Sequence, residues 1–75
     1  MSIKDFNRRD TVTCTARYTN EQGTVLSING VPENPYVIMH DVFLPRNSVI
    51  LASIFKISPD YRYVKVKLDS VLDAA

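Results

Sequence analysis

Tyr61, Tyr63, Lys65 and Lys67 alternate near the end of the chain in a pattern that could do chemistry. On an extended backbone alternate residues share a face, so successive members of this set stand about 6.6 to 7 Å apart. Aromatic rings beside ammonium groups at that spacing can stack single-stranded bases and follow their phosphates. The surrounding stretch has the sharpest charge bias in the chain, with Lys56, Arg62, Lys65 and Lys67 against Asp60 alone. A structural reading fits the same residues. Alternating lysines are the ordinary wet face of a half-buried sheet, and tyrosines paired across a hairpin stabilise it by a few tenths to about 1 kcal/mol each.

Other reactive side chains are few. The single cysteine, Cys14, and the single histidine, His40, fall in different segments with no metal-ligand spacing, so no metal site is expected. No glycine-rich loop precedes a helix, which removes phosphate cradling of the nucleotide-binding type. Catalysis by Cys14 and His40 would need a shared cleft, for which so short a chain has little room. A protein that is not an enzyme and holds no cofactor is expected. His40 suits either a place at the core edge or a ring for base stacking. Arg8 and Arg9 suit either the end of a helical turn or a phosphate contact.

These residues need elements to hold them. The runs VILASIFKI and YVKVKL flank Ser58-Pro59-Asp60-Tyr61, with Pro and Asp at the central positions of a type I turn, and together read as a hairpin. Thr11 to Tyr18 alternates with period two, placing Val12, Cys14, Ala16 and Tyr18 on the buried side. Cys14 therefore reads as a small core hydrophobe. Asn20-Glu21-Gln22-Gly23 is a hairpin connection, and a second strand runs from Thr24 to Ile28. After an irregular segment with two prolines, a third strand runs from Tyr36 to Val42 or Phe43, apolar on both faces. Leu44-Pro45-Arg46-Asn47 turns the chain into the fourth strand near Ser48, and the fifth begins near Arg62. Ser2 with Asp5 marks a short N-terminal helical turn, and Asp69-Ser70 could cap a last turn carrying Val71 and Leu72. The expected fold is a small five-stranded antiparallel β-barrel of the oligonucleotide-binding or cold-shock kind, or of the SH3-like or Sm-like kind.

Length and composition bound the rest. A chain of 75 residues that is 45% hydrophobic is one small domain, residues 1–75. A chain this short has only marginal stability alone, which leaves homo-oligomer formation open. One unpaired cysteine fits a reducing cytoplasm, and no stretch has the length and apolarity of a signal peptide or a membrane span. A net charge of +1 exerts no long-range pull on nucleic acid but permits a local patch.

The run from Ala16 to Leu26, with its Gln22-Gly23 turn, resembles the first hairpin of bacterial cold-shock domains. Val37-Ile38-Met39-His40 looks like that family's Val-Phe-Val-His motif. The similarity covers about Val12 to His40 and implies a barrel whose outward rings stack on single-stranded bases. The matching outward positions are Arg17, Thr24, Leu26, Ile38 and His40, of which only His40 carries a ring. Gln22 stands where the family has a turn lysine, and the connection after His40 is shorter than the family's.

Two functions are therefore expected. One is single-stranded nucleic-acid binding through Tyr61, Tyr63, Lys65 and Lys67, with Arg17, Lys56, Arg62 and His40 in support. The alternative is a protein-interaction barrel, a small regulator or inhibitor of a larger protein or a homo-oligomer. It would use Leu26 and Ile38, which the resemblance places outside.

Overall fold

A computed structural model describes all 75 residues. Ser2 opens a single 3-10 turn, Ile3–Asp5. The Ser2 hydroxyl accepts from the Lys4 N–H, and the Asp5 carboxylate accepts from the Ser2 N–H at 3.0 Å, the expected capping box. Glu33 accepts from the Ser2 hydroxyl and from the Ile3 N–H, which ties the turn to the barrel while the Ile3 side chain enters the core.

Five strands follow: β1 (Thr11–Asn20), β2 (Gly23–Ile28), β3 (Tyr36–His40), β4 (Val49–Ile57) and β5 (Tyr63–Asp73). They close into a barrel in the order β1-β2-β3-β5-β4, with β4 returning to β1. Four seams are antiparallel, but β3 and β5 run parallel. The small five-stranded all-β barrel is the fold expected, antiparallel at every seam but this one. Strand directions cannot alternate around a ring with an odd number of members, so one seam must be parallel. The seam is short: Tyr36↔Tyr63, Val37↔Val64 and Ile38↔Lys65.

The core comes from the inward half of each strand, including Val12, Cys14, Leu26, Val37, Met39, Ile50, Ile54, Val64 and Val66. Thr24 is the one polar side chain in a strand to be fully buried. Its hydroxyl donates to the Val42 carbonyl at 2.6 Å and accepts from the Leu44 N–H at 3.0 Å, so it holds the β3–β4 connection against the barrel.

The register slips at four places, once between β1 and β2 and three times between β4 and β5, and two of these slips bear on the outer surface. In β1 the register with β2 slips between Ala16 and Tyr18, leaving Arg17 as the extra residue of a bulge. The alternation that buries Cys14 and Ala16 is thereby reversed, and Tyr18 stands outside, 53% exposed, where period two placed it in the core. In β4 the register with β5 slips between Ile54 and Lys56, and Phe55 becomes the extra residue, 50% exposed.

Strand ends also depart from expectation. β3 stops at His40 because Asp41 takes a left-handed φ of 62°, so Val42 and Phe43 lie beyond the strand. β5 continues to Asp73, pairing Ser70 with Leu51 and Val71 with Ile50, where a capped turn was expected. Asp69 instead accepts a hydrogen bond from the Ser53 hydroxyl on β4.

Candidate nucleic-acid interface

The register builds one row across the outside of the barrel: Tyr18, Val25, Ile38, Lys65 and Lys56, each directly opposite the next. Tyr36 and Tyr63 pair one outward step along β3 and β5 from Ile38 and Lys65. Their rings stack with centroids 5.5 Å apart and planes 21° apart. Lys65 Nζ lies 5.9 Å from the Tyr63 ring centroid, within cation–π range. On the other side, Asn20 Nδ2 donates to the Tyr36 hydroxyl at 3.3 Å. Lys56 sits opposite Lys65, a like-charge pair that is unfavourable on a sheet unless an anion intervenes.

Arg17 is held at the bulge by two hydrogen bonds from Nη1, to Ser27 Oγ at 3.3 Å and Asn34 Oδ1 at 3.2 Å. Two hollows flank it. One, of about 240 Å³, lies between Tyr18, Asn34 and Tyr36; the other, of about 330 Å³, brings Arg46 beside Arg17 and Tyr18. Neither is lined by a carboxylate.

The structure thus gathers Tyr63, Lys65, Lys56 and Arg17 on this outer surface and separates the others. Tyr61 does not extend the row. It lies in the β4–β5 turn at a left-handed φ of 59°, half-buried beside Phe6, Arg8 and Ile57. The turn is held by Ser58, whose hydroxyl donates to Asp60 at 2.6 Å and accepts from the Tyr63 N–H at 3.0 Å. That hydroxyl, and then the Arg62 N–H, hold the Asp60 carboxyl below its ordinary pKa. Arg62 is exposed in the same turn, and its carbonyl accepts from the Tyr36 N–H at 2.8 Å, continuing the parallel seam. Lys67 and His40 lie past the last paired residues of that seam, at a separate hollow.

Leu26 and Ile38 are corrected. Leu26 is 1% exposed and belongs to the core, because its neighbours Val25 and Ser27 take the outward positions. Ile38 is on the outer side of β3 yet fully covered, between Val25 and Lys65. Thr24 also faces inward, where the resemblance to cold-shock domains had placed it outside.

The residues missed by sequence reasoning are Tyr18, Tyr36, Arg46 and Phe55. Tyr36 was legible, since it alternates with Ile38 and His40. Phe55 was legible as well, as the outward neighbour of Ile54 in the Ile50-Ala52-Ile54 alternation. The bulge that turns Tyr18 outward carries no glycine to mark it, and Arg46 joins the face only through the path of a turn.

Cys14 is enclosed in the core, and burial pushes its thiol pKa up to about 12. No helix is long and apolar enough to cross a membrane. Comparison with protein-family models, curated proteins and solved structures finds no match to this chain.

Proposed function

We propose that this protein is a non-catalytic binding module for single-stranded nucleic acid, built on a barrel of the oligonucleotide-binding kind. Five strands in the order β1-β2-β3-β5-β4, only partly joined between β3 and β5, fit that description. Barrels of one kind serve many ends, so the reading rests on the site. The observation that carries it is the meeting on one outer surface of Tyr18, the Tyr36–Tyr63 stack and the cations Arg17, Arg46, Lys56 and Lys65. Rings give every base a platform regardless of sequence, and the cations follow the phosphates. Burial of the only cysteine is compatible with the cytoplasmic location expected from the sequence.

The test is binding of a labelled single strand across a salt series. Affinity falls with rising salt, with a slope reduced by about 0.7 for each phosphate contact removed. Arg17→Gln and Lys65→Gln each flatten the slope by that amount. Absence of binding at low salt, or slopes identical to wild type in both variants, rejects the proposal.

A second reading, a protein-interaction barrel, finds support in exposed apolar side chains other than those first expected. Phe43 is 58% exposed and Leu72 is 55% exposed. Capture of one protein partner that survives nuclease treatment and is lost in Phe43→Ser would favour it.

A further inference from the structure

The largest hollow in the molecule, about 460 Å³, opens where β3 and β5 part. Its origin is the short parallel seam. Pairing stops at Ile38↔Lys65, β3 ends at His40, and β5 continues beside β4 alone. Val42, Leu68 and the bulged Phe55 form apolar walls, while His40 and Lys67 supply the polar side chains. No carboxylate lines it. The volume lies within the ~300–1,000 Å³ typical of small-ligand sites.

The hollow continues the aromatic surface. Tyr63, Lys65 and Lys67 succeed one another along β5, so the Tyr63 and Lys67 positions are separated by about 13 Å at the usual rise of about 3.3 Å per residue. A strand lying on the tyrosine stack and following these lysines arrives at Phe55. We propose that this hollow receives a further base of the bound single strand, with the Phe55 ring as its platform and Lys67 on the adjoining phosphate. The inference rests on the nucleic-acid reading and adds a stacking position to those at Tyr18 and the Tyr36–Tyr63 stack. A nucleotide combines an apolar ring face with an anionic link, matching apolar walls, an aromatic ring and a cation with no acid nearby. An apolar peptide would have to bring its own carboxylate to meet Lys67.

The chain contains no tryptophan, so the Phe55→Trp variant has one indole, placed at the hollow. Phe55 is half exposed, and circular dichroism checks that Phe55→Trp and Phe55→Ala fold as wild type does. Oligothymidylate of about eight nucleotides, within the ~4–16 that such a barrel covers, is titrated with two readouts. Anisotropy of the labelled strand reports binding, and indole emission reports stacking at position 55. The expected result is quenching that saturates together with the anisotropy, and about tenfold weaker binding by Phe55→Ala. If wild type binds, the indole is silent and Phe55→Ala binds equally well, the hollow is not a base site while the nucleic-acid reading survives. If no strand binds wild type, both fall. Quenching by an acidic apolar peptide with none by the strand gives the hollow to a protein partner and overturns the inference.

Discussion

The rings of Tyr36 and Tyr63 stack across the one parallel seam of the barrel, centroids 5.5 Å apart. The pair closes the ring and also presents aromatic surface on its outside. These roles separate by mutation. Tyr63→Ala is expected to lower stability by about 0.5–1.5 kcal/mol beyond the loss of buried area and to weaken single-strand binding about tenfold, from the ~1–3 kcal/mol of a base–aromatic stack. Tyr63→Leu restores part of the stability and none of the binding. Urea unfolding beside anisotropy titration checks both.

Gly23 begins β2 at a φ of 153°, where a Cβ would lie 2.1 Å from the Met39 carbonyl oxygen. That oxygen is a backbone atom of β3, not the end of a flexible side chain that could move aside. Gly23→Ala is expected to destabilise by roughly 3 kcal/mol or more, among the larger effects of single substitutions. Denaturant midpoints measure it, and a loss under about 0.5 kcal/mol, typical of a neutral surface change, would refute the close approach.

Thr24→Val keeps the side-chain shape and removes the hydroxyl between Val42 and Leu44. Leaving buried groups unpaired costs about 1–3 kcal/mol. Because Val42 is also a wall of the largest hollow, hydrogen exchange at Leu44 should speed up in this variant. Unchanged protection there would show that the loop is held by other contacts.

The Cys14 thiol is raised by burial from about 9 to about 12. Below pH 9 both folded and unfolded states keep the proton, and the thiol adds no pH dependence. Above it the unfolded state releases a proton that the folded state retains, so stability falls as pH rises towards 12. Urea unfolding at pH 8 and at about pH 10.5 should show a steeper loss in wild type than in Cys14→Ala. Equal losses would mean that the thiol is not held protonated.

The strands, most of their turns and the capped first turn were legible because each has a local cause: alternation at Thr11 to Ala16, Pro and Asp after Ser58, Ser2 facing Asp5. The placing of Tyr63 and Lys65 on a wet face followed from the same alternation. Tyr18 was not legible, since one extra residue at Arg17 reverses a face without changing the residue types on either side. Tyr61 failed for a related reason: its left-handed backbone belongs to the turn, and a period-two count runs through it unaware. The pairing of Tyr36 with Tyr63 depends on a parallel seam that no local pattern encodes and that only the odd number of strands requires.

That seam also sets an order of assembly. β5 is the partner of both β3 and β4, so a chain folded only through β4 is an open sheet with those two strands as its edges. Closure joins Tyr36 to Tyr63 across the whole of β4, and barrels dominated by such distant pairings fold in roughly milliseconds to seconds. Until the seam closes, the apolar strand Tyr36–His40 keeps a bare edge available to any neighbouring chain. The yield of refolded protein should therefore fall as its concentration rises, a cost of timing that the finished barrel conceals.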